Sequence, residues 1–210
     1  MIRILIVDDH KLVRDGLKQI LAGTDDISVI DEAGDGDEAL LKIKKNQFDV
    51  VLLDIRLPKT DGLSILKLVK QTQPELYVLM LSMYPEEQYA IRALKSGASG
   101  YLTKDSASEE LIAAIRKVAL GGKYVTHSLA EKLAFYLDKA EDVSIHETLS
   151  DREYQVMHMI AQGSSVGEIA EELHLSVKTI STYRSRVLGK LHLKKNAEIV
   201  RYAIKHDIVT

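Results

Sequence analysis

Phe48-Asp49-Val50-Val51-Leu52-Leu53-Asp54 is the stretch on which the fold turns. Positions 50–53 are an uninterrupted apolar run, half of it β-branched, which suits a strand covered on both faces rather than one alternating between core and solvent. The run stops at a carboxylate, and Pro58, Asp61 and Gly62 then mark a loop. A strand buried on both faces belongs to a parallel sheet, and open α/β sheets keep their binding sites at the carboxyl ends of their strands. Taken alone, Asp54 reads more readily as a solvated residue that ends the strand. Its neighbours decide otherwise.

To the N-terminal side, Ile2–Val7 reads as a buried strand ending in Asp8-Asp9-His10. Lys11–Ala22 carries Leu12, Val13, Leu17, Ile20 and Leu21 at helical spacing and is closed by Gly23. Ile27–Ala33 is a second strand and Asp37–Asn46 a second helix. Beyond the opening strand come a helix over Leu63–Gln71, a strand over Tyr77–Leu81 and a helix over Glu86–Ser96. Gly100–Thr103 is a short fifth strand, and Ser106-x-x-Glu109 predicts a capping box opening a last helix through about Leu120. Five strands alternating with five helices predict a doubly wound parallel sheet with helices on both faces.

Parallel strands all end on one side, so this alternation gathers distant residues. Asp8-Asp9, Asp54, Ser82 and Lys104 follow four different strands and share one sheet edge. Three crowded carboxylates repel one another unless a cation joins them. Oxygen donors, with no cysteine and no histidine expected to point inward, favour Mg²⁺, which keeps waters and takes phosphate oxygens. A carboxylate beside such an ion can act as a nucleophile toward phosphorus, with an ammonium and a hydroxyl stabilising charge on the phosphoryl oxygens.

Composition narrows the classes. The chain has 210 residues, a net charge of −3, 46% hydrophobic and 28% charged residues and no cysteine. These values describe an ordinary globular protein suited to a reducing cytoplasm, without disulfide or thiolate chemistry. No stretch approaches the ~20 apolar residues of a membrane span, and the N-terminal strand is too short for a signal peptide. One rival motif exists: Gly34-x-Gly36-x-x-Ala39 follows a strand and opens a helix, as a dinucleotide fingerprint would. It comes after the second strand and leaves Asp8, Asp9 and Lys104 unexplained.

Asp8-Asp9, Asp54 followed by Pro58 and Gly62, Ser82, Tyr101 and Lys104 resemble the pattern of the receiver domains of two-component response regulators, over about residues 1–120. The resemblance implies a flavodoxin-like α/β fold in which Asp54 accepts a phosphoryl group from a sensor histidine kinase. It implies that Asp9 and Asp54, with the Arg56 carbonyl, hold Mg²⁺ and that Asp8 acts through water. Lys104 would bind the phosphoryl group, Ser82 would move toward it, and Tyr101 would turn inward. One departure is Asp105, where many receivers have proline after the lysine.

The second half has a different character. Gly121-Gly122 breaks the last receiver helix, Ser128–Lys139 reads as a helix, and Ala140–Thr148 reads as an acidic tether, giving a linker over 121–147. From Leu149 the chain is helical, in a domain placed at 148–210. Ser150-x-x-Glu153 and Ser165-x-x-Glu168 are capping boxes, and Ser176 caps a further helix reaching about Leu191. Residues 174–206 hold eight Lys/Arg against Glu198 alone, a local balance of +7 that suits a polyanion. Two helices across a three-residue turn read as a helix-turn-helix. The second carries Lys178, Thr179, Ser181, Thr182, Arg184, Ser185, Arg186 and Lys190 as candidate DNA contacts, while Val177, Ile180, Tyr183, Val187, Leu188 and Leu191 are expected to serve the core.

Leu149-Ser150-x-Arg152-Glu153, Glu168-Ile169-Ala170 and Ser176 through Leu191 resemble the LuxR-type DNA-binding domain, over about 148–210. End to end the chain resembles the NarL/FixJ class of response regulators. That resemblance implies a phosphorylation-controlled transcription factor, a homodimer on activation, with paired DNA half-sites, a histidine kinase and RNA polymerase as partners. Its last helix, 196–206, would serve dimer contacts. It also implies no enzyme beyond self-dephosphorylation. Ser181 and Tyr183 depart from the usual basic residue and histidine, which moves the expected base contacts toward Thr182, Arg184 and Ser185. Two other classes stay open: a DNA-binding protein with a degenerate receiver, and a flavodoxin-like phosphotransferase or phosphatase.

Overall fold

The computed structural model describes residues 1–210 except 59, 85, 139–144, 207 and 210, and gives no side-chain placement for 87, 88, 132 and 134–138. The chain divides into two compact units, Met1–Leu133 and Ala134–Thr210.

The first unit alternates β1 (Ile2–Val7), α1 (Lys11–Ala22), β2 (Ile27–Ala33), α2 (Gly36–Lys45), β3 (Val50–Asp54), α3 (Gly62–Thr72), β4 (Tyr77–Ser82), α4 (Glu86–Lys95), β5 (Gly100–Thr103) and α5 (Ser108–Ala119). The sheet order is β2-β1-β3-β4-β5 and every neighbouring pair is parallel. The opening stretch is the central strand, buried at all five positions. Ile4, Ile6, Val50, Leu52, Leu79, Leu81 and Leu102 pack with Leu17 and Leu21 of α1 and Leu111, Ala114, Ile115 and Val118 of α5. The alternate set, Leu5, Val7, Val51, Leu53, Met80 and Tyr101, falls on the opposite face by the two-residue period of a strand and is equally buried. Each such aliphatic side chain removed from water contributes roughly 2 kcal/mol. That is why an unbroken apolar run, and not an alternating one, marks this strand.

Register then places the chemistry. Val7 pairs with Leu53, Asp54 with Leu81, and Ser82 with Thr103. Asp8, Asp54 and Ser82 therefore leave adjoining strands at the same edge.

After α5, α6 spans His127–Asp138, one residue earlier at its start than expected; the expected tether lies outside the described residues over 140–144. The second unit continues with a 3-10 turn (Ile145–Thr148), α7 (Asp151–Ala161), α8 (Val166–Glu172), α9 (Val177–Lys190) and α10 (Asn196–Lys205). α9 packs on both α7 and α8, and α10 packs on α7. Both predicted capping boxes form, at Ser150/Glu153 and Ser165/Glu168, and Ser176 accepts from the Thr179 amide as the cap of α9.

Three local expectations need correction. The Ser106/Glu109 capping box does not form: α5 starts at Ser108 behind Ala107, which has no side-chain cap. The Ser106 amide instead closes a turn onto the Thr103 carbonyl, with the two hydroxyls 3.2 Å apart. Leu12 and Val177 were expected inside and are 86% and 56% exposed. Each lies in the first turn of its helix and turned to solvent, while α1 meets the core through Val13 and Leu17 and α9 through Ile180.

The turn between α8 and α9 holds His174 at φ 52, where the Leu175 amide reaches back to the Ala170 carbonyl. This is a left-handed helix terminus, a position that suits glycine. His174→Gly is expected to stabilise the protein by about 1 kcal/mol, read as a higher denaturant midpoint at unchanged slope; a lower midpoint would count against the assigned backbone.

Candidate functional site

The carboxyl edge of the sheet holds a compact charge cluster. Asp8 and Asp54 are 1% and 2% exposed, and the Lys104 ammonium bridges them, 2.6 Å from Asp8 Oδ2 and 2.7 Å from Asp54 Oδ2. The other Asp54 oxygen, Oδ1, accepts from the Arg56 amide at 3.1 Å. Asp8 Oδ1 accepts from the His10 amide at 2.8 Å. Burial pushes the Asp54 carboxyl up to about 6; Lys104 opposes that shift and the Asp8 charge adds to it. Burial pulls the Lys104 ammonium down, but Asp54 and Asp8 more than offset it and hold the group above its ordinary value. Two buried carboxylates share one cation here. Such a site is short of positive charge and long on oxygen donors.

The donor set fits a hard divalent ion. Asp8, Asp9, His10 and Asp54 each offer an atom within 4.8 Å of the others. Three carboxylates are oxygen donors of the kind Mg²⁺ takes. The imidazole stands at the rim of the set, its side chain 57% exposed rather than pointing inward. His10 Nδ1 lies 2.7 Å from Asp9 Oδ1. The only signal for it in the sequence was its place directly after the two strand-end acids.

Ser82 and Tyr101 meet at a residue that sequence reasoning overlooked. Ser82 is fully buried and its Oγ accepts from the Tyr84 amide at 3.0 Å, while the Tyr101 hydroxyl donates to the Tyr84 carbonyl at 2.9 Å. Tyr101 points inward with no exposure, and its burial raises the phenol above its ordinary value. The Tyr84 ring lies 5.1 Å from the Tyr89 ring and 5.8 Å from the Arg56 guanidinium. The peptide after Lys104 is trans, like all the described peptide bonds.

Of the two glycines in the rival dinucleotide motif, Gly36 serves packing and Gly34 has room for a side chain. Asp35 caps α2 through the Glu38 amide, and the Glu38 carboxylate accepts from the Gly34 amide at 2.8 Å. The Gly34 and Glu38 amides are thus taken by carboxylates, whose charge would also repel a pyrophosphate. A Cβ on Gly36 would lie 2.5 Å from Ile65 Cδ1, so that glycine admits α3 and not a ligand.

The candidate DNA-binding residues divide into two groups. Lys178, Ser181, Thr182, Ser185 and Arg186 are exposed on α9. The Thr182 and Ser185 hydroxyls donate to the carbonyls of Lys178 and Ser181, which leaves their oxygens as outward acceptors. The others have partners within the domain. Thr179 Oγ1 lies 2.8 Å from Ser176 Oγ at the cap. Arg184 Nε donates to Asn196 Oδ1 at 2.5 Å, joining α9 to the start of α10. Lys190 donates to Glu153 Oε2 at 2.6 Å and to the Thr148 carbonyl at 3.1 Å.

Family models match both units. The response regulator receiver domain matches residues 4–116, and the bacterial regulatory proteins of the luxR family match residues 147–203. The chain is 36% identical over 209 residues to the response regulator UvrY of Escherichia coli (strain K12), covering 99% of this chain and 96% of that protein. It is 36% identical over 209 residues to the response regulator GacA of Pseudomonas protegens, covering 100% of this chain and 98% of that one. A solved structure of RcsB from Salmonella enterica serovar Typhimurium, bound to promoter rprA in the presence of the phosphomimetic BeF3⁻, superposes with a TM-score of 0.65 at 25% identity. That superposition covers 96% of this chain and 97% of RcsB.

Proposed function

This chain belongs to the NarL/FixJ class of two-component response regulators, DNA-binding proteins that join a receiver to a LuxR-type helix-turn-helix, and we propose that Asp54 is its phosphoryl acceptor. The observation that carries this reading is the buried Asp54 carboxylate, held at 2.7 Å by Lys104 beside Asp8 and Asp9 at the sheet edge. An Asp54 oxygen forms a new P–O bond while the P–N bond of a kinase phosphohistidine breaks. The imidazole leaves with the electron pair and takes a proton from solvent. Lys104 then follows the charge onto the phosphoryl oxygens, and Ser82 turns its hydroxyl toward them. Asp8, Asp9, Asp54 and the Arg56 carbonyl would hold Mg²⁺, which supplies charge neutralisation at the phosphoryl group. The only turnover is loss of that phosphoryl group to water. The test is covalent labelling by a small phosphodonor with Mg²⁺ and its suppression by EDTA.

The domain roles follow. Residues 1–120 act as receiver, 121–147 as linker and 148–210 as the DNA-binding domain. Phosphorylation biases the protein toward a homodimer that presents two copies of α9 to paired half-sites, α10 contributing its exposed Ile204 to the dimer contact. RNA polymerase is the downstream partner at a promoter. Lys178 and Arg186 neutralise phosphates, while Ser181, Thr182 and Ser185 face base edges, the latter two as acceptors for adenine or cytosine amino groups. No helix among the described residues is long and apolar enough to cross a membrane.

Arg186→Ala is expected to weaken promoter binding and to reduce the slope of log affinity against log salt by about one. Arg184→Ala acts differently, because its guanidinium holds Asn196. It is expected to lower the thermal stability of the DNA-binding domain as well as its affinity. Fluorescence anisotropy across a salt titration, with melting curves of both variants, separates the two. An unchanged salt slope in Arg186→Ala would remove α9 from the interface.

A further inference from the structure

The chain after α5 runs back along the free edge of β5. The Tyr124 amide donates to the Ser99 carbonyl at 2.8 Å, and Tyr124 forms a parallel bridge with Gly100. The approach is so close that a Cβ on Gly100 would lie 2.7 Å from the Tyr124 carbonyl oxygen. Lys123 Nζ donates to the Ala98 carbonyl at 2.6 Å, and the Tyr124 hydroxyl donates to Glu110 of α5 at 2.9 Å. The strap then reaches α4: the Thr126 hydroxyl donates to the Glu86 carboxylate. The same Thr126 oxygen accepts from the Leu129 amide at 3.2 Å, and Leu129 is fully buried. Thr126 is thus both the cap of α6 and the hand that holds α4.

Glu86 stands two residues beyond Tyr84, whose amide and carbonyl are held by Ser82 and Tyr101. Tyr84 and Glu86 thus lie two positions apart in the chain, one held by the phosphoryl-sensing hydroxyl and the other by the cap of the linker helix. We propose that the Glu86–Thr126 contact is a latch by which the state of Asp54 controls the first turn of α6. The inference rests on Asp54 being the phosphoryl acceptor. With a phosphoryl group on Asp54, the Ser82 side chain rotates to donate a charge-assisted bond to an anionic oxygen, and the rotation carries its Oγ away from the Tyr84 amide from which it now accepts. Tyr84 loses an anchor, the start of α4 shifts, and Glu86 withdraws from Thr126. The cap residue then loses its support on α4, and the first turn of α6 frays. This is a two-state element biased from the site, which is what coupling requires.

The experiment is amide hydrogen exchange of residues 127–131 in the full chain. It compares unmodified protein, protein with Mg²⁺ and beryllofluoride, and the variants Glu86→Gln, Thr126→Val and Thr126→Ser. ¹⁹F NMR reports bound beryllofluoride separately. The expected result is exchange roughly fivefold faster, the factor of a lost cap, in beryllofluoride-bound protein and in Thr126→Val. Glu86→Gln should show a smaller increase, and Thr126→Ser, which keeps the hydroxyl, should match the unmodified protein. Unchanged exchange in Glu86→Gln overturns the latch whatever happens at Asp54 or in Thr126→Val, which removes the cap itself. Bound beryllofluoride with unchanged exchange overturns its control by the site. No bound beryllofluoride overturns the phosphoryl-acceptor reading, and the switch with it.

Discussion

Asp54→Asn is expected to take up no covalent phosphate from a small phosphodonor with Mg²⁺, under conditions that label the unaltered protein to a substantial fraction of one equivalent. The loss is complete rather than graded because an amide supplies no nucleophilic oxygen of comparable strength, whereas the surrounding donors only assist. The fold should tolerate the change. Burial already disfavours the Asp54 anion, pushing its carboxyl up to about 6, and asparagine keeps an oxygen for Lys104 while relieving the repulsion from Asp8. Thermal melts in EDTA are expected to show a midpoint unchanged or raised. Intact-mass spectrometry decides the first point, through a single phosphate adduct that is stable at low temperature and lost with base. Equal labelling of both proteins would place the acceptor elsewhere. Labelling of neither would favour a degenerate receiver, regulated without phosphate.

Gly62→Ala is expected to do the most damage of any small substitution near the site. A Cβ there would lie 2.0 Å from the Asp54 carbonyl oxygen and 2.9 Å from the Ile55 Cα. Both obstacles are backbone, so no side chain can swing aside. The Gly62 amide also donates to the Ile55 carbonyl at 2.8 Å, and Asp61 caps α3 through the Ser64 amide at 2.9 Å. The start of α3 is thus pressed onto the end of β3 at the proposed phosphoryl acceptor. Relief requires moving either element, at a cost of about 3 kcal/mol or more. Urea unfolding should show that loss, and the fraction that remains folded should take up phosphate more slowly than the unaltered protein. A change in stability within about 0.5 kcal/mol would mean that the two backbones do not approach as described.

The two variants probe different layers of one design. Asp54 stands among carboxylates and an ammonium because three strand ends meet at one edge, and the proposed reactivity rests on that company. It is held still because a glycine lets the next helix close over its main chain. The first feature was legible from strand alternation alone. Proline and glycine after the strand signalled a loop, but nothing in their spacing told how closely α3 would return.

On the DNA-binding side, the eight candidate residues of α9 looked alike in the chain. Arg184 and Arg186 are two apart and chemically identical, yet one is bound to Asn196 and the other is exposed. Lys190 likewise differs from Lys178 through partners far earlier in the chain, the Glu153 carboxylate and the Thr148 carbonyl. Charge counting finds a basic segment. It does not say which charges are already committed inside the domain.

By itself the sequence determined the order of strands and helices, the single edge shared by Asp8, Asp54, Ser82 and Lys104, and the helical, basic character of the second half. These follow from periodicity and from the rule that parallel strands end together, and both are local or topological facts that the order of residues encodes. Only the tertiary structure decided that Lys104 bridges Asp8 and Asp54, that His10 joins the acids, that Tyr84 is gripped by both Ser82 and Tyr101, and that the strap from Lys123 to Thr126 closes on Glu86. The reason is physical. Such contacts are made by loop backbones whose paths are set by long-range packing and by the need to pair every buried polar group, and neither constraint leaves a periodic mark in the chain.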